Sequence, residues 1–258
     1  MLTHGSLCSG IEGNGLGFYW AGIPTLFHVD NRKFCQRVIE KNKAYWPNAK
    51  LCSDIYEVGG QDLEKVDIIS AGFPCQNISG AGKKTGLNGT KSRVFWQVRR
   101  IFRERRPTWG LLENVSRLVR TADIDTVLSA MESAGYRCWP FLLDARLFGA
   151  THKRQRVFIL CKRADTCGHE RIAASWVQNL EAAQRTARAA AAKWQRRMDE
   201  LRAHPGPAGA DAYARISREC HGIPRWLDRH RALGNSVVPI IPYLFGMFMQ
   251  SVEAKEEK

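Results

Sequence analysis

The chain has 258 residues, of which 44% are hydrophobic and 25% charged, an ordinary soluble globular composition with room for one large domain or a core plus a small second unit. No apolar run nears the ~20 residues of a spanning helix, and residues 1–6 lack the basic-then-apolar plan of a signal peptide, so a cytoplasmic location and no membrane partner are expected. The net charge of +14 points instead to a polyanionic partner, most simply nucleic acid.

Eight cysteines are scattered at 8, 35, 52, 75, 138, 161, 167 and 220, in a chain too long to need disulfide staples. Reduced thiols fit better. Cys161, Cys167, His169, Cys220 and His221 are of metal-binding types, but no CxxC pair frames them, and no metal is expected.

Residues 2–8 read as a strand, followed by the glycine-rich turn Ser9-Gly10-Ile11-Glu12-Gly13-Asn14-Gly15-Leu16-Gly17 and a helix. Glycines let the backbone approach a ligand, and the helix start offers free N–H groups. The next strand, residues 25–29, ends at Asp30, about 20 residues past the turn, where an acid holds ribose hydroxyls in nucleoside-binding units. Asp30 reads equally as the N-cap of a helix over 32–45. A third strand, residues 50–53, ends at Asp54, an acceptor suited to an adenine amino group.

The fourth strand is the β-branched run 66–71, stopped by Gly72 and followed by Phe73-Pro74-Cys75-Gln76. Pro74 fixes its own φ and restricts Phe73, so the Cys75 thiol rides on stiff backbone at the edge where open α/β sheets bind ligands. Taken alone, Cys75 reads as well as a small buried hydrophobe. Residues 80–91 hold four glycines and three lysines and read as a mobile cationic lid. A basic helix over 94–105, a strand over 108–112 ending at Glu113, a helix over 123–134 and strands over 136–144 and 156–161 follow. This alternation implies an α/β fold with a doubly wound, mostly parallel sheet and one functional edge.

From 151 to 232 the chain carries 17 lysines and arginines against 8 acids, +9 of the total charge. Trp176, Leu180, Ala183, Ala187, Ala190, Trp194, Met198 and Leu201 recur at three- and four-residue steps, which predicts an amphipathic helix over 176–201. Its opposite face holds Arg185, Arg188, Lys193, Arg196 and Arg197. A solvated surface, a DNA contact and a seam for self-association are all compatible with that pattern. A final helix over 240–252 returns to the sheet.

Taken together, these residues resemble the DNA (cytosine-5) methyltransferases. The similarity rests on Ser9-Gly10-Ile11-Glu12-Gly13, on Gly72-Phe73-Pro74-Cys75-Gln76 with Ser79, on Glu113-Asn114-Val115, on Arg154-Gln155-Arg156-Val157-Phe158 and on Gly234-Asn235-Ser236-Val237-Val238-Pro239, in the family's order. Three departures stand out. Cys8 replaces the usual phenylalanine, Glu12 a glycine, and Thr151-His152 a Pro-Gln pair.

The resemblance implies a Rossmann-like S-adenosylmethionine-dependent fold that methylates C5 of cytosine in DNA through a covalent Cys75–C6 bond and base flipping. It gives Cys75, Glu113, Arg154 and Arg156 to catalysis. It gives Cys8, Ser9, Gly10, Gly13, Asp30, Asn31, Asp54, Ile55, Phe73, Pro74, Val94, Asn235, Ser236 and Val237 to S-adenosylmethionine, and Gln76, Ser79, Lys83, Lys84, Arg225 and Arg229 to double-stranded DNA. The implied division is a catalytic domain over 1–162, a short basic target-recognition segment over 163–228 and a return over 229–258, with a cognate restriction enzyme as a further partner. An RNA methyltransferase of the same fold and a DNA-binding relative without cofactor affinity remain as alternatives at this stage.

Overall fold

The computed structural model describes residues 1–74, 93–148, 154–166, 176 and 236–256. Its centre is a seven-stranded sheet: β1 (His4–Leu7), β2 (Thr25–Val29), β3 (Lys50–Cys52), β4 (Ile68–Gly72), β5 (Trp109–Val115), β6 (Tyr136–Asp144) and β7 (Gln155–Arg163). The spatial order is β3-β2-β1-β4-β5-β7-β6. The first five of these pair in parallel. β7 runs antiparallel between β5 and β6. The β6–β7 connection is short, opening with a 3₁₀ turn at Ala145–Phe148, and a parallel return needs a crossover of a dozen residues or more. The mostly parallel, doubly wound sheet expected from the alternation of elements is therefore found, with an antiparallel edge.

Adjacent residues on the inner strands feed opposite layers, because strand side chains alternate in direction. Ile69 and Leu112 join Phe95, Val98, Ile101 and Phe102 of helix α3 (Arg93–Arg105) and Val127 and Met131 of α4 (Asp123–Glu132). Their neighbours Ile68 and Leu111 join Phe18 of helix α1 (Gly13–Trp20) and Leu244, Phe245 and Phe248 of α5 (Ile240–Glu256). Each fully buried side chain of this size stabilises the fold by about 1.5–3 kcal/mol. α1 and α5 approach closely at Gly17, where an added Cβ would sit 2.3 Å from the Pro239 carbonyl oxygen. Trp176 seals this layer by stacking on Phe245, with ring centroids 4.0 Å apart. The rest of the helix expected over 176–201 lies outside the described residues.

The helix expected over 32–45 is shorter. α2 (Lys33–Lys41) stops at Asn42, whose Nδ2 donates to the Val38 carbonyl at 2.7 Å, and a separate 3₁₀ turn follows at Lys43–Tyr45. A side-chain donor that takes a helix carbonyl competes with continuation of the helix.

The arginines on α3 are partly structural. Arg99 Nε donates to the Ala130 carbonyl at 2.8 Å, and Arg100 Nη2 donates to the Ile55 and Val58 carbonyls at 2.9 and 2.8 Å. The second contact ties the segment after β3 to α3. Cys161 faces Cys138 across the β6–β7 ladder, with sulfurs 3.2 Å apart, while Cys167, His169, Cys220 and His221 lie outside the described residues. No helix of the described residues is long and apolar enough to cross a membrane.

Candidate active site

Parallel strands ending together leave a crevice at their carboxyl edge. Here that crevice is a cavity of about 420 Å³, within the range of small-molecule sites. The end of β1 and the start of α1 give it Cys8, Ser9, Gly10 and Gly13. Asp30 and Asn31 follow β2, Asp54 and Ile55 follow β3, and Phe73 and Pro74 follow β4. Val94 comes from α3, Glu113 from β5 and Arg156 from β7, while Ser236 and Val237 close one side. Thus every described residue expected to hold the cofactor lines one cavity. Asn235 lies outside the described residues, as do Cys75, Gln76, Ser79, Lys83, Lys84, Arg225, Arg229 and the lid at 80–91.

The glycine-rich turn is built on strained backbone. Cys8 and Glu12 have φ of 52° and 65°, in the left-handed region that glycine favours. Glu12 caps α1, its Oε2 accepting from the Gly15 N–H at 2.8 Å, and its Oε1 meets His28 Nδ1 at 2.8 Å. Burial, helped by the charge of Asp30, pushes the Cys8 thiol up to about 12. It therefore stays protonated and acts as a small apolar wall. Gly13 presses against the returning chain: a Cβ there would stand 2.2 Å from the Val237 carbonyl oxygen and 2.8 Å from Ser236 Oγ.

Asp30 does not cap α2; Arg32 holds that position, without a side-chain capping bond. The Asp30 carboxylate accepts from the Gly10 N–H at 2.8 Å and the Arg32 N–H at 2.9 Å, and pairs with the Arg32 guanidinium. It fixes the turn as well as facing the cavity. Asp54 Oδ1 accepts from the Tyr56 N–H at 2.9 Å.

At the far end, Glu113 lies within β5, which continues two residues beyond it to Val115. Its Oε1 is 3.0 Å from Arg156 Nε. Burial raises its pKa above the ordinary 4.5, outweighing the lowering by the Arg156 and Arg154 guanidiniums and by the Arg156 hydrogen bond. A carboxyl poised this way holds a proton more readily than a solvated one. Asn114 Nδ2 donates to the Phe73 carbonyl at 3.2 Å, so β5 braces the backbone just before Pro74 and Cys75. Arg154 is not in the cavity wall. Its Nη2 donates to the Ser236 carbonyl at 2.5 Å and anchors the returning segment.

The arrangement fits a ligand with an adenosine and an amino-acid portion: acids at the β2 and β3 ends and a glycine cradle at Gly13. Sequence reasoning did not single out Asn14, Arg32 or Tyr56. Asn14 and Arg32 sit beside residues it did name, but only the fold shows which neighbours line the cavity.

Comparison with known proteins agrees with this geometry. Residues 2–203 match the C-5 cytosine-specific DNA methylase family. The chain is 35% identical over 159 residues to the Type II methyltransferase M1.ScrFI of Lactococcus lactis, covering 60% of this chain and 40% of that one. It is 32% identical over 159 residues to the Type II methyltransferase M.NlaX of Neisseria lactamica, covering 60% and 50%. The match thus takes in half or less of the length of these relatives. The S. pombe Dnmt2 methyltransferase structure superposes with a TM-score of 0.53 at 17% identity, covering 67% of this chain and 55% of that one, a likeness of fold.

Proposed function

The chain belongs to the C-5 cytosine-specific DNA methylase family, and we propose that it methylates carbon 5 of cytosine in double-stranded DNA, with S-adenosylmethionine as donor. Cytosine C5 is a weak nucleophile, and the residues are read as making it a stronger one. The Cys75 thiolate adds to C6, forming an S–C bond and moving an electron pair into the ring. Glu113 meets the charge that develops at N3 by donating a proton or hydrogen bond. C5, now part of an enamine, would take the methyl group as its bond to the donor sulfur breaks, the electron pair staying on sulfur and S-adenosylhomocysteine leaving. Loss of the C5 proton to a base, with water as the candidate, then lets the Cys75 sulfur leave and restores the C5–C6 double bond.

S-adenosylmethionine would supply an electrophilic methyl group on a sulfonium. Asp30 and Asp54 are suited to its ribose and adenine, and Gly13, Ser236 and Val237 to its amino-acid end. The target base must leave the duplex stack, at a cost of a few kcal/mol. The lysines of 80–91 and the basic segment 163–228 are the proposed DNA contacts, and a cognate restriction enzyme belongs to the same proposal.

The observation that carries the reading is Glu113: a buried carboxyl with a raised pKa, paired to Arg156, in the cavity that also holds Asp30 and Asp54. Bisulfite sequencing of DNA from cells expressing the protein should show new 5-methylcytosine in a fixed sequence context. A duplex with 5-fluorocytosine in that context, given the donor, should become covalently attached to the protein and not to Cys75→Ser. Unmethylated DNA together with no adduct would sink the reading.

A further inference from the structure

We infer that Arg32, and not Asp30, is the residue that touches the ribose of the bound nucleoside, its guanidinium donating to the ribose hydroxyls while Asp30 holds it in place. The inference rests on the methyl-donor reading above and deepens it. Asp30 stands where an acid after a parallel strand would hold a ribose, but its carboxylate is already full. Oδ2 accepts from the Gly10 N–H at 2.8 Å and from Arg32 Nη2 at 3.2 Å. Oδ1 accepts from the Arg32 N–H at 2.9 Å and from Arg32 Nε at 3.2 Å. An ionised carboxyl offers about four acceptor sites, so none is left for a hydroxyl. The Asp30 side chain is also covered, with 5% of its surface exposed.

The cover is Arg32. Its side chain is 41% exposed, and the residue lines the cavity. The guanidinium itself reaches the wall: a Cβ on Gly10, another lining residue, would stand 3.5 Å from Arg32 Nη2. A guanidinium carries five N–H donors in a rigid fork and accepts nothing. Asp30 takes one donor from Nε and one from Nη2, whereas Nη1 makes no hydrogen bond among the described residues. The free donors therefore stand at the β2 end of the cavity, where the ribose is expected. A ribose diol presents two oxygens that accept from them, and bonds from a charged donor are stronger than neutral ones. Pairing with Asp30 through the Nε edge holds the fork before the ligand arrives, so little rotamer freedom is lost on binding.

The test is calorimetric and needs no turnover. It compares S-adenosylhomocysteine with its 2′,3′-dideoxy analogue. The parent should prefer the hydroxylated ligand by about tenfold or more, because a site built to bond a hydroxyl rejects the analogue that lacks it. Arg32→Met keeps the stem and loses the donors. It should weaken S-adenosylhomocysteine about tenfold and hold the dideoxy analogue within about twofold, which also reports that the variant is folded. Arg32→Lys keeps the charge beside Asp30 without the fork, and should weaken S-adenosylhomocysteine at least about threefold with the analogue again within about twofold. This second variant decides the matter if Arg32→Met does not fold. Variants that bind S-adenosylhomocysteine as tightly as the parent or tighter, with the preference kept, would overturn the assignment and give the hydroxyls to Asp30. Equal losses for both ligands in a folded variant would also overturn it, leaving Arg32 a purely structural brace. So would a parent that does not distinguish the two ligands. A parent that bound neither ligand would sink the methyl-donor reading, and this assignment with it.

Discussion

Glu12 Oε1 lies 2.8 Å from His28 Nδ1, with both side chains sealed from solvent beneath the glycine-rich turn. Glu12 stands where related enzymes usually carry glycine, in backbone that glycine favours, so the pair is the compensation for a strained residue. Burial alone would raise its pKa. The charge of His28 and its hydrogen bond, with the charge of His4, outweigh burial and bring it below 4.5. A depressed folded-state pKa adds stability above the unfolded value that is lost as pH falls through the folded one. Glu12→Gln should cost about 1–3 kcal/mol at pH 7, shrinking as the pH drops below about 4.5. Glu12→Gly should be more stable than Glu12→Ala by about 1 kcal/mol, because only glycine relaxes the backbone. Urea unfolding of the three variants at pH 7 and pH 4 reads both effects, and a Glu12→Gln variant as stable as the parent would refute the compensation.

Glu113 gives the opposite pH sense. Its folded-state pKa is raised, so the protonated form it donates from is depleted as pH rises through that value. The methylation rate should therefore decline on the alkaline side of this titration. Glu113→Gln should lower the rate about 100-fold or more, with S-adenosylhomocysteine affinity within about twofold. It should also lose that alkaline limb. Single-turnover rates across pH measure this, and an unchanged profile in the variant would remove Glu113 from the proton transfer.

Much of this site was legible in the sequence because parallel strands end where apolar runs stop. The polar residues at those stops, Asp30, Asp54 and Glu113, meet at one edge once the strands are aligned. Pairing partners were not legible. β7 lies between β5 and β6 through contacts that local pattern does not encode, and β6 reads only as a half-exposed strand. Nor did the pattern separate Arg154 from Arg156. They are two apart and so share a strand face by periodicity, yet Arg154 precedes β7 and reaches Ser236 while Arg156 lies within it and reaches Glu113. Asp30 read as a ribose ligand or a helix cap, and the structure has its carboxylate bracing Gly10 and Arg32 instead of capping α2.

Gly13 tests the cradle. A methyl group there would overlap the Val237 carbonyl oxygen, a backbone atom that cannot swing aside as a side chain does. Gly13→Ala should push the Ser236–Val237 segment off the cavity and weaken S-adenosylhomocysteine by about tenfold or more. The Tm should fall by a few degrees, since the α1–α5 packing yields only locally. Calorimetry beside thermal unfolding checks the pair of effects, and parental affinity would show that the segment does not press on the ligand site.

The two arginines should divide the kinetics between them. Arg156 touches Glu113 inside the cavity, so Arg156→Lys disturbs the acid and should lower kcat by about 10- to 100-fold with the donor KM little changed. Arg154 instead holds the Ser236 carbonyl behind the cavity wall. Arg154→Lys should loosen that wall and raise the donor KM by about tenfold, with kcat within about threefold. Steady-state kinetics with the donor varied and DNA saturating separate the cases. The reverse split, with kcat lost in Arg154→Lys and KM in Arg156→Lys, would mean that Arg154 turns toward the reacting base when DNA is bound.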